Sequence, residues 1–413
     1  MQRNTRKPRS LGRLLPRKKF ASRALLALAA FALIAAACGD DSTAATPAPA
    51  PVATPAPTPA PAPAPTTGGT DGPAPTPAPT PAPTPAPTPA PTPPPAPSGK
   101  ITLVTNDAFS GVAYLLEPFA ETGIELDLLA GGDVGNMVNQ AILTKDNPLG
   151  DVLYGFDNSF LTRLLEEDVF EPYTSPAAAN LPAEFQIDPR VTVVDFGDVC
   201  INYDKSYFED NALAVPVTLD DLRKPEYGGL LVVENPATSS PGLIFMLATI
   251  AEYGEDGWRD FWADLAANGV EVTAGWTEAY YTSWSEYGGG QPLVVSYASS
   301  PPAEVIFAEV RPEVAPSGVM ESSCFRQIEF IGILKGTDNL PAAQALVDWW
   351  LTDAMQAELP LNYFVFPANP DTALPQDFID HTIIPANPLL LDPAVIAANR
   401  DRWIEEWTST VLR

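Results

Sequence analysis

Prolines set the strongest constraint on how this chain can fold. Between Pro47 and Pro97 the sequence repeats Pro-Ala-Pro-Thr and places 23 prolines in 51 residues. Proline has no N–H to donate and pushes the preceding residue to extended backbone, so this stretch cannot build a core. It predicts a disordered, polyproline-II-like stalk with an extended limit on the order of 150 Å, at about 3.1 Å per residue. Its break at Thr66 to Gly72 predicts a flexible joint.

The residues before the stalk have the pattern of an export signal. Residues 1–37 contain nine Lys/Arg and no acidic residue, and they end in an apolar run of 14 residues. That run is too short to span a bilayer, which needs about 20 residues, so it predicts a secretory signal. The sequence Ile34-Ala-Ala-Ala-Cys38 resembles a bacterial lipobox, which implies a lipid on Cys38 and an anchor on the outer face of the cell membrane. An uncleaved signal anchor is the alternative.

The charge of the mature chain argues against several partners. Removal of the signal leaves 14 Lys/Arg against 51 Asp/Glu, a net charge near −37. Binding to nucleic acid or to anionic lipid head groups needs basic side chains, so we expect neither. Attraction of a cationic ligand is natural, although acidity also serves solubility.

Two cysteines remain if Cys38 carries lipid. Cys200 and Cys324 would then lie in an oxidising compartment, where a disulfide can persist. We favour a bridge between them. Two buried free thiols are the alternative, because sequence alone does not give the separation of the two residues.

Residues 100–413 have the pattern of a folded region, preceded by the linker of residues 38–99. Strands alternate with helices in two successive blocks, which predicts an α/β fold with a parallel sheet covered on both faces. Long extended segments between the blocks predict a two-lobed clamshell. One lobe comprises about 100–195 plus a later return segment, and the other about 200–295 plus C-terminal elements. The predicted strands are 101–105, 124–129, 151–156, 191–203, 230–234, 269–274, 292–297 and 326–334, and the predicted helices are 111–122, 133–144, 242–253, 258–267, 341–352 and 393–411.

No catalytic motif stands out. His381 is the only histidine and lies in a proline-rich tail, where a surface role is the simplest interpretation. Without it there is no Ser-His-Asp or Cys-His pair and no zinc-type cluster, and no phosphate-loop or dinucleotide fingerprint occurs. We expect neither an enzyme nor a bound metal or cofactor. Catalysis by two carboxylates stays an alternative without positive support.

Polar residues follow two strands of the first block. Asp107 comes after the first strand, and Asp157 and Asn158 come after the third. In open α/β sheets, ligands sit outside the carboxyl ends of the strands, so these side chains are candidates for a ligand site. Capping of turns or helices is the alternative role.

Loops of the second block carry hydroxyls and aromatic rings. Ser239 and Ser240 open a helix, where free N–H groups suit a phosphate, although plain N-capping explains them equally well. Trp276 and Tyr280 start a helical stripe that would continue through Trp284 and Tyr287. We expect the first pair to face a cleft and the second pair to be core.

Two further segments add to this set. Tyr297 and Ser299 follow a buried strand, and Phe364 lies in an aromatic segment near the C-terminus. Aromatic faces around a cleft with carboxylates nearby would suit a flat organic cation through stacking and cation–π attraction.

Short motifs in the folded region resemble a known family. The chain is similar over residues 100–413 to periplasmic thiamine-binding proteins, the receptors of thiamine ABC importers, which have the type II periplasmic binding fold. The motifs that carry the resemblance are Gly155-Phe-Asp-Asn158, Thr238-Ser-Ser-Pro-Gly-Leu243, Gly275-Trp-Thr-Glu-Ala-Tyr280, Ser296-Tyr-Ala-Ser-Ser-Pro301 and Trp403-Ile-Glu-Glu-Trp407.

The resemblance implies roles for individual residues. Trp276 and Tyr297 match residues that hold the thiamine rings, and Ser240 belongs to the region that receives the hydroxyethyl or phosphate end. Asp107 and Asp157 match acidic positions expected to line the cleft. The chain departs from the family at Phe364, which replaces a tryptophan, and at two positions where relatives have tyrosine, Asn106 and Ala303.

The function that the resemblance implies is binding without chemistry. A monomeric receptor would close its lobes on thiamine or a thiamine phosphate and deliver it to a membrane permease, and the Cys200–Cys324 pair would tie two long segments near the hinge. The alternatives are the same fold loaded with ferric ion or a polyamine, a surface hydrolase that uses carboxylates, and a structural or adhesive stalked lipoprotein.

Overall fold

A computed structural model describes residues 97–413. The predicted export signal, Cys38 and almost all of the stalk lie outside the described residues. Within the described part, the first strand begins at Gly99. None of the helices in residues 97–413 is both long enough and apolar enough to cross a membrane.

The strands of residues 97–413 form one mixed sheet. Its order is β2-β1-β3-β8-β4-β7-β5-β6, with β9 paired to β4. The pairs β1–β2, β1–β3, β5–β6 and β5–β7 are parallel, whereas β4 and β8 pair antiparallel. The strands are β1 (Gly99–Thr105), β2 (Ile124–Ala130), β3 (Val152–Asp157), β4 (Thr192–Asp204), β5 (Leu231–Glu234), β6 (Glu271–Thr273), β7 (Leu293–Tyr297), β8 (Ser317–Ile333) and β9 (Phe366–Pro367).

Two long strands connect the halves of this sheet. β4 has 13 residues and β8 has 17, and each pairs with strands on both sides. β8 pairs with β3 on one side, and β4 pairs with β7 on the other. We call the side of β1–β3 the first lobe and the side of β5–β7 the second lobe. The predicted α/β fold is confirmed, but the prediction of a parallel sheet is only partly correct, because β8 runs antiparallel to β3 and β4, and β4 runs antiparallel to β7. The exact lobe boundaries stay a prediction.

Helices cover the sheet. β3 is buried along its whole length, as expected for a strand between two covered faces. The helices are α1 (Asp107–Ser110), α2 (Val134–Leu143), α3 (Leu161–Glu166), α4 (Lys205–Asp210), α5 (Ser240–Ala267), α6 (Trp276–Glu278), α7 (Pro301–Ile306), α8 (Leu340–Trp350), α9 (Asp353–Asn362), α10 (Gln376–His381) and α11 (Pro393–Val411).

Three predicted helices differ in detail from the structure. The segment predicted as a helix over 111–122 is a 3-10 helix, Ala113–Thr122, with Pro118 inside it. Proline removes an N–H and clashes with the preceding turn, which disfavours a regular α-helix there. The helices predicted over 242–253 and 258–267 form one element, α5, broken at Gly254, whose φ of 69° only glycine adopts readily.

The C-terminal helix packs across the body of the protein. α11 begins at Pro393, and the side chain of Asp392 caps it by accepting from the N–H of Ala394. Trp407 is buried and meets Trp262 of α5 edge to face, at 5.3 Å between ring centroids. α11 also contacts α3 in the first lobe, so it bridges elements of both lobes.

The predicted disulfide is present. Cys200 of β4 and Cys324 of β8 are bonded, and both are fully buried. The bridge therefore joins the two strands that the lobes share.

Candidate ligand-binding site

A cavity of about 510 Å³ lies between the two lobes. Residues after β1 and β2, the turn at α6, the end of β7 and the segment after α9 form its wall. Its aromatic lining residues are Tyr114, Trp276, Tyr280, Tyr281, Tyr287, Tyr297, Phe307, Tyr363 and Phe364, and its acidic ones are Asp107, Asp133, Glu278 and Glu329. Among the described residues that line this cavity, none is Lys, Arg or His.

Trp276 is the central ring of the second-lobe wall. Its indole stacks on Tyr280 at 4.8 Å between centroids, and Tyr297 lies 6.2 Å away at a steep angle. The indole N–H donates to Ser296 Oγ at 2.9 Å, which fixes the ring plane. Trp276, Tyr280 and Tyr297 all line the cavity, as the sequence predicts.

The predicted aromatic stripe beyond Tyr280 is only partly correct. The α-helical turn ends at Glu278, a π-helical turn follows, and Trp284 has extended backbone, so helical spacing does not continue. Trp284 is fully buried, as expected for core. The prediction of a core role for Tyr287 is wrong, because Tyr287 is 42% exposed and lines the cavity.

Phe364 lines the cavity from the segment after α9. Its φ of 59° is a conformation that costs a non-glycine residue about 1–3 kcal/mol. Two hydrogen bonds hold it there. Ser299 Oγ donates to its carbonyl at 2.6 Å, and its N–H donates to the carbonyl of Leu359 at 2.9 Å. Ser299 is fully buried and does not itself line the cavity, so the structure places it as a support for Phe364.

Asp107 lines the cavity from the first lobe. It is exposed and begins α1, where the side chain of Asn106 caps the helix by accepting from the N–H of Phe109 at 2.9 Å. The amide of Asn106 also donates to Tyr363 Oη at 3.4 Å, so an aromatic ring lies beside Asn106. Asp107 is therefore an exposed carboxylate on the cavity wall.

Asp133 is a lining carboxylate that the sequence did not single out. It caps α2 by accepting from the N–H of Val134 at 2.7 Å, and it also accepts from the N–H of Trp276 at 3.0 Å. Ser239 Oγ and the N–H of Ser240 donate to it at 3.3 and 3.4 Å. Removal from bulk water raises the pKa of Asp133, and these donors act in the opposite direction. The only signal available was an aspartate between a strand and a helix.

The start of α5 therefore differs from the predicted phosphate site. The serines there bond carboxylates of the first lobe rather than facing the cavity. Ser240 Oγ donates to Asp157, and Gln327 Nε2 donates to the same carboxylate at 2.9 Å. Ser239 and Ser240 are fully buried and do not line the cavity.

Asp157 and Asn158 also lie behind the cavity wall. Asp157 is fully buried, and burial raises its pKa against the effect of its hydrogen bonds from Ser159 and Gln327. Asn158 bonds the backbone of β8, donating to the carbonyl of Arg326 at 3.2 Å and accepting from the N–H of Ile328 at 2.9 Å. Their local role in the structure is to join β3 to β8 and α5.

The cavity wall is suited to a small organic molecule. Ring faces and carboxylates surround a space of small-molecule size, and no basic side chain among the described lining residues would attract an anion. Within residues 97–413, no group of three or more His, Cys, Asp or Glu side chains is placed to hold a metal ion. A two-lobed α/β fold with such a cavity between its lobes defines a solute-binding protein of the periplasmic type.

Comparison with known proteins gives the family. Residues 147–386 match the family model of bacterial extracellular solute-binding proteins. The chain is 30% identical over 295 residues to the thiamine-binding periplasmic protein of Escherichia coli K12, covering 71% of this chain and 86% of that protein. It is 28% identical over 319 residues to the thiamine-binding periplasmic protein of Salmonella typhimurium LT2, covering 76% and 94%. A solved periplasmic thiamin binding protein superposes with a TM-score of 0.68 at 26% identity, covering 76% and 96%.

The chain belongs to the family of bacterial extracellular solute-binding proteins. The resemblance to periplasmic thiamine-binding proteins and the two-lobed fold that it implied are thereby confirmed. Membership of this family indicates an exported protein with a small-molecule ligand and a membrane permease as its partner.

Proposed function

We propose that this protein is the extracytoplasmic thiamine-binding component of an ABC importer. It binds thiamine or a thiamine phosphate in the cavity between its lobes and delivers it to the permease. The observation that carries the proposal is the composition of the cavity wall, where aromatic rings and carboxylates occur without any Lys, Arg or His among the described lining residues.

Thiamine has the chemistry that this wall suits. It joins an aminopyrimidine ring to a positively charged thiazolium ring, so it offers two flat faces and one cation. A cation over an aromatic face gains about 0.5–2 kcal/mol, and more when the site excludes water. Trp276 and Tyr297 supply faces from the second lobe, and Phe364 supplies one from the segment after α9.

Carboxylates offset the ligand charge. Asp107 lies on the first-lobe wall and Glu329 on the β8 side of the cavity. Closure of the lobes around a cation would bring these groups and the rings together, and the closed form would dock on the permease. No bond is made or broken in this process, so the protein acts as a receptor and not as an enzyme.

The N-terminal segments give the receptor its place. A lipid on Cys38 would hold a monomeric receptor on the outer face of the cell membrane, and the Pro-rich stalk would let it reach outward and return to the permease. Measured by mass spectrometry, the mature N-terminus of the native protein should carry diacylglycerol on Cys38. An unmodified chain that retains residues 1–37 would contradict the anchor without touching the ligand.

The ligand assignment is tested with the full mature chain carrying Cys38→Ser. Calorimetry should give one site for thiamine, and tryptophan fluorescence should change because Trp276 lines the cavity. Asp107→Asn should weaken binding, whereas Asp146→Asn, an exposed carboxylate outside the lining residues, should not. Absence of binding to thiamine, its monophosphate and its diphosphate would overturn the proposed function.

A further inference from the structure

Two buried carboxyl groups face each other beside the cavity. Asp195 of β4 and Glu329 of β8 are direct partners in the antiparallel register of these strands. Asp195 is completely buried, Glu329 is 4% exposed, and the two carboxyl groups are close enough for each to alter the pKa of the other. Of the two, only Glu329 lines the cavity. The pair thus connects the ligand space to the two strands that the lobes share.

The hydrogen bonds around this pair leave one oxygen on each side without a donor. Tyr154 Oη donates to Asp195 Oδ2 at 3.1 Å. Asp195 Oδ1 and Glu329 Oε2 are buried, and neither has a hydrogen-bond partner among the described residues if both groups are ionised. A buried acceptor left without a donor costs about 1–3 kcal/mol, and more for a charged group. A single proton held between the two carboxyl groups supplies the missing hydrogen bond.

Within residues 97–413, no positively charged group is among the main influences on the pKa of either carboxyl group. The titratable groups that face the pair are Tyr154 and Asp157 of β3, Tyr297 of β7, Tyr363 after α9 and Asp133 at the start of α2. All of these are neutral or acidic. The nearest arginine on the same strands, Arg326, forms an ion pair with Asp198 at 2.7 Å.

We propose that Asp195 and Glu329 share one proton in the empty protein, and that an organic cation entering the cavity expels it to solvent. The pair is then the element that selects for positive charge. A cation replaces the proton and faces a pair with two negative charges, whereas a neutral ligand of the same shape leaves the pair singly protonated, with one negative charge. This inference rests on the proposed function, because it assumes a cationic ligand in this cavity.

The electrostatics support the same arrangement. Burial raises the pKa of Asp195 to about 7, and burial together with the neighbouring Asp195 carboxyl raises the pKa of Glu329 well above its ordinary value. The two ionisations belong to the pair rather than to either residue, because two neighbouring carboxylates repel each other and cannot both be ionised easily. A cation nearby favours the ionised form and lowers the pKa of the pair.

The consequence is a link between binding and pH. Between the pKa of the occupied pair and that of the empty pair, each ligand bound releases up to one proton. In that window affinity rises as the pH rises, by up to tenfold per pH unit, and it levels off above the pKa of the empty pair.

The test counts protons by calorimetry. Thiamine is titrated into the full mature Cys38→Ser chain between pH 5.5 and 8, in pairs of buffers with different ionisation enthalpies. We expect release approaching one proton per thiamine near pH 6–7. The hydroxymethyl-aminopyrimidine half of thiamine, compared at the upper end of this pH range where its ring is unprotonated and neutral, should bind, if at all, with no release.

Variants assign the proton to the pair. Asp195→Asn, which does not touch the cavity, should abolish the release and flatten the pH dependence while thiamine still binds, and Glu329→Gln should do the same with weaker binding. Asp107→Asn is the contrast, because it should weaken binding and leave the proton count unchanged. Thermal melts of each variant confirm folding. If a variant does not fold, the number of protons released by the wild-type protein still tests the proposal.

The outcomes are distinct. Thiamine binding without proton release in the wild type, or release that survives in a folded Asp195→Asn variant, overturns the shared proton and leaves the proposed function intact. Absence of thiamine binding overturns the proposed function and this inference with it.

Discussion

The carboxylate of Asp133 accepts a hydrogen bond from the backbone N–H of Trp276, 143 residues further along the chain, at 3.0 Å. Asp133 ends the loop after β2 in the first lobe, and Trp276 begins α6 in the second. One side chain therefore caps α2 and also reaches the opposite wall of the cavity. Since Trp276 is the central ring of that wall, the bond couples the position of the ring to the first lobe.

Replacement of Asp133 by alanine should remove both roles at once. The loss of the cap should cost about 0.5–2 kcal/mol of stability. The N–H of Trp276 loses its partner as well, at a cost of about 1–3 kcal/mol in the closed form. We therefore expect thiamine affinity to fall about tenfold, measured by calorimetry, together with a lower melting temperature.

A second cap provides the matched control. Asp392 caps α11 by accepting from the N–H of Ala394 at 2.8 Å, and it does not line the cavity. Asp392→Ala should lower the melting temperature by a similar amount and leave the affinity unchanged. Equal losses of affinity in both variants would mean that Asp133 acts through general stability alone.

The position of Asp133 also predicts an order among thiamine forms. Its carboxylate already accepts a hydrogen bond from the N–H of Ser240 at the start of α5, where a phosphate would otherwise bind. The described lining residues offer no Lys or Arg in exchange. We expect thiamine to bind more tightly than its monophosphate, and the diphosphate most weakly, by at least about tenfold between the first and the last. Calorimetry with the three ligands checks this order, and tighter binding of the diphosphate would contradict it.

Trp276 should contribute most of the ring contact in the second lobe. Trp276→Ala removes an indole that stacks on Tyr280 and is fixed by Ser296, and aromatic and cation–π contacts of this kind contribute about 1–2 kcal/mol. Affinity should fall about tenfold or more, and Trp276→Phe should restore part of it. Titration followed by calorimetry measures both variants.

The control for this substitution is a tryptophan outside the cavity. Trp403 of α11 is buried and donates to Glu255 at 3.0 Å. Trp403→Phe should leave affinity unchanged, and the ligand-induced fluorescence change should persist there but be lost in Trp276→Ala. Persistence of the full change in Trp276→Ala would place the ligand elsewhere.

Local pattern was sufficient to predict much of the fold. The strand predicted over 191–203 is β4, and the helix predicted over 393–411 is α11, because proline at its first position and an aspartate before it mark the start in the sequence itself. Local pattern also indicates five of the residues that line the cavity, because each of them follows a strand or lies in an aromatic segment. They are Asp107, Trp276, Tyr280, Tyr297 and Phe364.

The site residues that local sequence pattern does not reveal depend on contacts between distant parts of the chain. The role of Asp133 requires knowing that α5, more than 100 residues later, begins beside it. Glu329 lies inside the strand predicted over 326–334, and its partner Asp195 is set by the register of β4 and β8, which no local pattern reveals. The stripe from Trp276 to Tyr287 failed for another reason, because a π-helical turn interrupts the helical period that defined it.

The buried carboxyl groups give the last prediction, a fall in stability as the pH rises. Burial is the main cause that raises the pKa of both Asp195 and Glu304 to about 7. In the unfolded chain both titrate near 4, so the folded protein binds more protons between these values. A group whose pKa is higher in the folded protein than in the unfolded chain stabilises the folded protein. This stabilisation is complete at pH values below the unfolded pKa, and it is lost as the pH rises through the folded pKa.

We therefore expect the free energy of unfolding to be lower at pH 8 than at pH 5.5, by on the order of 1–3 kcal/mol. Surface carboxylates with a lowered pKa, such as Asp221 beside Lys224, have the opposite effect on stability. That effect is confined to more acidic pH, because their stabilisation is lost only as the pH falls below the ordinary pKa of a carboxyl group. Urea unfolding at the two pH values measures the difference, and Asp195→Asn should reduce it because the variant has one raised carboxyl fewer. A wild-type protein that gains stability from pH 5.5 to pH 8 would show that these carboxyl groups are already ionised in the folded state.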